Sequence, residues 1–131
     1  MRYTIKEVIE LTAKNTNPKV NMWIYFGDFL DHFYSESRTT KERFELVREE
    51  PEQFENIEER DYAFISGAVQ KICSDYEVEI PEWVFKEKYF LTYPYFALDA
   101  QNELRLVLLA ESPFEFRMRN IFTTANTLDR V

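Results

Sequence analysis

The chain is poor in the residues that tight turns, disulfides and metal sites require. Its 131 residues include two glycines, one histidine and one cysteine. Hairpin turns and phosphate-binding loops need glycine because it adopts positive φ without strain, so its scarcity argues against hairpin-rich β folds and excludes glycine-rich phosphate loops. Cys73 has no second cysteine to bond, and one cysteine with one histidine falls short of the four ligands of a usual zinc site. The sequence therefore predicts neither a metal nor a cofactor.

Long apolar stretches are also missing from the sequence. No run approaches the roughly 20 apolar residues that a membrane-spanning helix needs. The first seven residues mix charged and apolar side chains, which a secretory signal does not do. We therefore expect a cytoplasmic protein that has no membrane partner.

Positive charge is scarce as well. The formal net charge is −8, and residues 1–88 hold 12 basic and 19 acidic side chains, a net charge of −7. Seven of the acidic residues lie between Glu49 and Asp61. Because such a surface repels phosphate backbones, a nucleic-acid partner is disfavoured, and a protein with a basic surface is the expected partner.

What the chain does contain is a strong helical signal. A Ser or Thr followed three residues later by Glu can form a capping box that starts a helix, and this pair occurs at Thr4 with Glu7, Thr39 with Glu42 and Ser112 with Glu115. Asn17 with Pro18, and Asp99, are further expected helix starts. Apolar residues recur at helical spacing, namely Met22, Phe26, Phe29 and Phe33 beside a second stripe of Val20, Trp23, Ile24, Gly27 and Leu30, and then Tyr62, Ile65, Val69, Ile72 and Tyr76.

These signals predict an all-α protein. We expect a single compact bundle of five or six helices, forming one domain over residues 1–131, with a core rich in the aromatic residues that make up 17% of the chain. The only β pairing expected is a very short one around Val78–Ile80. Gly67 in the middle of a long helix costs about 1 kcal/mol relative to alanine, so we expect another helix to pack closely against it.

The C-terminal residues are too apolar for a free tail. Ile121, Phe122 and Leu128 are expected to dock on the body of the protein. Three arginines accompany them, and we expect internal pairs with the abundant carboxylates in preference to contacts with a ligand; these are Arg117, Arg119 and Arg130.

Catalytic chemistry has few candidate residues. Asp28 lies one helical turn before His32 and could orient its imidazole as a general base. A surface ion pair on a polar helix face is the plainer interpretation of the same spacing. Cys73, next to an apolar helix position, reads as a packed small hydrophobe and not as a nucleophile.

A dense aromatic segment between residues 83 and 96 is the clearest candidate for recognition. Base-stacking surfaces carry basic residues along the nucleic-acid backbone, and here only Lys86 and Lys88 are present. Core packing combined with a protein-binding groove explains the aromatics better. The residues expected to contact a partner are Glu52, Glu55, Glu58, Glu59, Trp83, Tyr89, Tyr93, Tyr95, Arg117 and Arg119.

Three stretches of the chain resemble a family of small helical bacterial proteins. They are Ile80-Pro81-Glu82-Trp83-Val84, the turn from Leu91 to Phe96, and Leu108 to Ser112 followed by Pro113-x-x-Phe-Arg-x-Arg-Asn-Ile-Phe and Leu128-x-Arg130. The resemblance covers the chain from about Glu50 onward. It implies an association with toxin–antitoxin or phage-defence loci, and it assigns no functional residues.

The sequence thus favours a non-enzymatic, acidic protein-interaction module, and the resemblance implies an antitoxin-like role. A homo-oligomer is compatible with this reading. Two alternatives remain open. One is a small enzyme or enzyme subunit that uses Asp28 and His32, and the other is an acidic nucleic-acid mimic that inhibits a basic protein.

Overall fold

The computed structural model is mostly α-helical, as the sequence predicts. It describes residues 3–35 and 38–130, and 56% of them are helical. These residues form six α-helices: α1 (Ile5–Lys14), α2 (Met22–Tyr34), α3 (Thr40–Val47), α4 (Glu59–Asp75), α5 (Glu103–Glu111) and α6 (Phe114–Arg117). The predictions of an all-α fold with five or six helices and of an aromatic-rich core are confirmed. Among the described residues, no helix is long and apolar enough to cross a membrane.

The chain divides into two compact units, which are described separately. Unit 1 comprises Met1–Ile57, Ile72–Pro81 and Arg130–Val131, and unit 2 comprises Glu58–Lys71 and Glu82–Asp129. Helix α4 contributes residues to both units. The single domain over residues 1–131 stays a prediction.

In unit 1, α1 packs against α2 and α3, and local polar contacts fix where these helices begin. Glu7 donates its backbone N–H to Thr4 Oγ1 at 3.2 Å, and Thr4 donates its own N–H to Glu7 Oε1 at 3.1 Å. Thr39 and Glu42 form the same reciprocal capping box at the start of α3. Both predicted capping boxes are therefore confirmed. Each satisfies two backbone donors that the helix cannot satisfy itself.

Helix α2 begins at Met22, four residues later than the predicted start at Pro18. Asn17 instead accepts a hydrogen bond from the Lys19 N–H within a turn, and Asn21 caps the helix by accepting from the Trp23 N–H at 3.0 Å. The stripe of Met22, Phe26, Phe29 and Phe33 is buried as predicted. The second stripe is narrower than predicted, since Trp23 and Ile24 are about half exposed.

Unit 2 contains the only β pairing among the described residues. Strand β1 (Tyr95–Phe96) pairs in parallel with β2 (Ile121–Phe122), and Tyr95 lies opposite Ile121. The predicted pairing around Val78–Ile80 is wrong. Val78 instead donates its N–H to Cys73 O at 2.8 Å and so closes the end of α4.

The two N-caps predicted in the C-terminal third, Asp99 and Ser112, are wrong, although both predicted helices are present. Asn102, not Asp99, precedes α5, and its side chain makes no capping bond. Pro113, not Ser112, is the residue before α6. The Ser112 hydroxyl does not cap the helix, because it donates to Ile121 O at 3.0 Å and accepts from the Thr123 N–H at 3.3 Å. These two bonds hold β2 beside the end of α5.

Candidate functional site

Helix α5 leaves most of its apolar side chains exposed. Leu104, Leu106, Val107 and Leu109 are 40%, 66%, 45% and 40% exposed, whereas Leu108 is fully buried. At 3.6 residues per turn, Leu106 lies almost opposite Leu108. The inward face of α5 therefore contributes one core residue, Leu108. The opposite face, which includes Leu106, is apolar but exposed.

Two further exposed apolar residues lie at the start of α6 and just after its end. Phe114 is 62% exposed and Met118 is 36% exposed. We refer to Leu104, Leu106, Val107, Leu109, Phe114 and Met118 as the α5–α6 apolar surface. Clustered exposed apolar residues are a feature of protein interaction sites. A helix that carries this many exposed aliphatic side chains is suited to bind another protein.

A fully buried arginine ties α6 to the rest of unit 2. Arg119 Nε donates to Ser66 Oγ at 2.8 Å and Nη1 donates to Gln70 Oε1 at 2.6 Å, both on α4. Its other bonds go to the carbonyl oxygens of Val84 at 2.7 Å and Glu115 at 2.8 Å. The guanidinium also lies 4.7 Å from the centre of the Phe90 ring. One side chain thus joins three segments of unit 2.

The partners of Arg119 are all neutral acceptors. Burial lowers the pKa of Arg119 to about 10, and the nearby charge of Glu115 acts in the opposite direction. The side chain therefore stays protonated at neutral pH. The expectation that Arg117 or Arg119 pairs with a carboxylate is wrong for Arg119, and Arg117 has no ion pair within the part of the chain that the structure describes.

A cleft of about 300 Å³ lies between the end of β1 and the start of α5. Its lining includes aromatic, acidic, amide and basic side chains, from Tyr95, Phe96, Asp99, Gln101 and Arg105. The backbone beside it is strained, since Leu98, Asp99 and Asn102 adopt φ of 61°, 48° and 51°. Each such non-glycine conformation costs on the order of 1–3 kcal/mol and persists only where the surroundings hold it, often at binding sites.

The structure distributes the predicted contact residues over very different environments. Trp83, Tyr89 and Arg119 are buried, whereas Tyr93 is 80% exposed, Tyr95 is partly buried and Arg117 is exposed. The four predicted glutamates are all exposed, with Glu52 and Glu55 in unit 1 and Glu58 and Glu59 in unit 2. The sequence predicted a helix over α5 but did not predict that most of its apolar side chains are exposed. The available signal was its run of aliphatic residues at positions 106–109, which leaves no polar face there.

Of the residues considered for catalysis, Asp28 and His32 lie on α2, where Asp28 is exposed and His32 is partly buried. Asp31, next to His32, accepts two hydrogen bonds from Arg130, at 3.0 and 3.1 Å, and these bonds hold the pKa of Asp31 below its usual value. The predicted internal pairing of Arg130 is thereby confirmed. A Cβ on Gly27 would lie 3.0 Å from Arg130 Nη1, so glycine leaves room for this pair. Cys73 is fully buried, and burial raises the pKa of its thiol to about 12, which makes the reactive thiolate inaccessible at neutral pH.

No metal site is evident in the described residues, where no group of three or more His, Cys, Asp or Glu side chains could hold an ion. No protein-family model matches the chain, and neither a curated protein nor a solved structure matches it. The family resemblance and its gene association stay predictions.

Proposed function

We propose that the protein is a non-enzymatic, cytoplasmic protein-interaction module that binds its partner through the α5–α6 apolar surface. The observation that supports this most directly is the exposure of Leu106 and Phe114, at 66% and 62%. Fully burying a leucine or phenylalanine side chain contributes roughly 1.5–3 kcal/mol. A few such anchors supply most of the roughly 8 kcal/mol that corresponds to micromolar affinity.

The net charge of the chain supports a basic partner, although the surface itself also carries the exposed Arg117. Glu103 and Glu111 lie at the two ends of α5 and are exposed. The positive charge of Arg105 is directed towards the Phe96 ring, 4.6 Å away. With a net charge of −8 for the chain, a partner that presents an apolar helix face flanked by Lys or Arg would be attracted at long range and anchored at short range.

An antitoxin-like role, in which the module covers a basic surface of a toxic protein, fits this proposal. The fit comes from charge and from the exposed apolar helix. A second copy of the acidic chain is a less favourable occupant, because the two copies repel each other electrostatically.

The test uses the double variant Leu106→Gln/Phe114→Gln. Affinity capture with the intact protein identifies a candidate partner, which is then purified and titrated against each variant. The double variant should bind at least about tenfold more weakly, since it loses two buried anchors. The association rate of the unsubstituted pair should also fall as salt rises.

Ile24→Gln is the matched control, because Ile24 is an exposed aliphatic residue, at 49%, but lies on α2, outside both helices. Its binding should equal that of the unsubstituted protein. Equal binding by the double variant would contradict the proposal, as would failure to capture any protein. Sedimentation that shows a stable homodimer dissociated by the double variant would assign the surface to a second copy instead.

A further inference from the structure

The loop between Leu91 and Tyr95 presents the most exposed large apolar side chain among the described residues. Tyr93 is 80% exposed, and both of its neighbours along the chain are exposed too. Its side chain makes no hydrogen bond or ring contact within the described part of the chain, whereas a cation lies over the ring of Tyr89 and another over the ring of Tyr95. The ring and hydroxyl of Tyr93 are therefore open to a partner.

Hydrogen bonds hold both ends of this loop on the segment that follows α6. Leu91 donates its N–H to Arg119 O at 3.2 Å, and Tyr95 donates its N–H to Asn120 O at 2.9 Å. Between these two bonds, the Asn120 side chain donates to Leu91 O and Thr92 O, both at 3.3 Å. The backbone on each side of Tyr93 is thus fixed although the side chain itself makes no contact.

The anchor of the loop is part of the core of unit 2. Arg119 is fully buried and donates to Ser66 and Gln70 on α4. A side chain presented by a pre-organised backbone loses less conformational freedom on binding than one on a mobile loop. Tyrosine also combines a large contact area with few rotatable bonds, which keeps the entropy cost of fixing it low.

The loop adjoins the α5–α6 apolar surface. Met118, the last residue of that surface, directly precedes Arg119, whose carbonyl oxygen holds Leu91. The surface and the loop both belong to unit 2. An interface of the usual size covers about 800 Å² on each protein, so a partner bound to the α5–α6 apolar surface has enough area to include the loop.

We propose that Tyr93 is a second, pre-organised anchor of the partner interface and that its ring enters an apolar pocket of the same partner protein. The pocket carries a hydrogen-bonding group at its base, because a buried tyrosine hydroxyl needs a partner. Tyrosine is one of the residues that most often dominate binding energy at interfaces. This inference rests on the function proposed for the α5–α6 apolar surface, and it adds the shape and chemistry of the site that the partner must present.

The test titrates the partner purified in the capture experiment above against Tyr93→Ala and Tyr93→Phe. Tyr93→Ala should bind at least about tenfold more weakly, because the buried ring is lost. Tyr93→Phe keeps the ring and should bind about three- to tenfold more weakly, because only the hydroxyl contact is lost. Ile24→Gln again serves as the control and should retain full affinity.

Asn120→Gly tests the fixed loop separately from the ring. Glycine accepts the φ of 67° at this position, so the change removes only the two side-chain bonds to the loop. In the free unsubstituted protein, NMR order parameters at the Thr92 and Tyr93 amides should be about 0.85, as in rigid backbone, and they should fall in Asn120→Gly. Affinity should also fall at least about threefold, because the loop must then be ordered on binding.

The outcomes separate this inference from the proposed function. If Tyr93→Ala binds normally while Leu106→Gln/Phe114→Gln binds weakly, the Tyr93 anchor is wrong and the proposed function stands. If Tyr93→Ala binds weakly while the double variant binds normally, the partner binds the loop and not the α5–α6 apolar surface. Low order parameters at Thr92 and Tyr93 in the unsubstituted protein would overturn the pre-organised loop, and failure to capture any protein would overturn both proposals.

Discussion

Helices α4 and α5 show how differently a protein can use two helices. In α4, every residue from Tyr62 to Gln70 is buried, including the polar Ser66 and Gln70. In α5, which carries a run of aliphatic residues, only Leu108 is buried. The helix with buried polar groups lies inside, and the more uniformly apolar helix lies at the surface.

The difference teaches that side-chain hydrophobicity alone does not decide burial. Buried polar groups are tolerated on α4 because Arg119 donates to both of them, which removes the cost of leaving them unpaired. The outward face of α5 has no such neighbour within unit 2, so its apolar side chains stay in water. Apolar side chains exposed to water cost free energy, and proteins keep them exposed where the surface binds a partner.

The largest expected effect comes from removing the buried arginine. Arg119→Met should leave the oxygens of Ser66, Gln70 and two backbone carbonyls without their donor, each at a cost of about 1–3 kcal/mol. We expect the free energy of unfolding to fall by about 3–5 kcal/mol, and the melting temperature by on the order of 10 °C.

Arg117→Met is the control for this change, because Arg117 is exposed and lies two residues earlier. It should alter the free energy of unfolding by less than about 0.5 kcal/mol. Thermal and urea unfolding of the Arg119→Met and Arg117→Met variants measure these changes in stability. Equal stability of the two variants would show that Arg119 does not support the buried polar residues of α4.

The two faces of α5 give the next largest effect. Leu108→Ala should destabilise the protein by about 2–4 kcal/mol, since Leu108 is fully buried. Leu106→Ala makes the same chemical change on the same helix, at a side chain that is 66% exposed. It should cost less than about 0.5 kcal/mol in urea unfolding. A comparable loss in both would mean that the outward face is covered within the folded chain.

The contrast between the buried α4 and the exposed α5 could be predicted from the sequence only in part, for a physical reason. The spacing of Tyr62, Ile65, Val69 and Ile72 predicted α4 correctly, because each of them is buried. Tyr76, the last residue of the predicted stripe, lies just past the end of α4 and is 36% exposed. Local capping chemistry predicted α1 and α3. It failed at Ser112, because that hydroxyl bonds to Ile121, nine residues along the chain. A long-range acceptor competes with the local cap, and spacing alone does not reveal it.

The candidate sites were harder to predict than the fold. Arg119 looked like an accessible contact residue because arginine is usually exposed. Ser66 and Gln70, one helical turn apart on the buried face of α4, were the available signal that a buried donor was needed. The cleft depends on backbone conformations at Leu98 and Asn102 that neither residue type favours. Such positions are set by tertiary contacts, so no local pattern predicts them.

Apart from the control variants, the smallest expected stability loss concerns Gly67 on α4. The sequence predicted that another helix packs closely against it, and a Cβ there would lie 3.0 Å from Phe116 Cδ1 and 3.2 Å from Glu115 O on α6. Phe116 is fully buried and stacks on Phe64 with ring centres 4.7 Å apart, which restricts its movement. Gly67→Ala gains about 1 kcal/mol of helix propensity, but overpacking costs about 1–3 kcal/mol, so we expect a net loss of about 1 kcal/mol in urea unfolding. In a Phe116→Leu background the smaller side chain removes the clash with the ring, and the same substitution should become less destabilising, since only the contact with Glu115 O remains. If Gly67→Ala instead raises stability by the full propensity gain in the unsubstituted protein, α6 does not pack closely on α4, and the contrast between the two helices is weaker than the structure indicates.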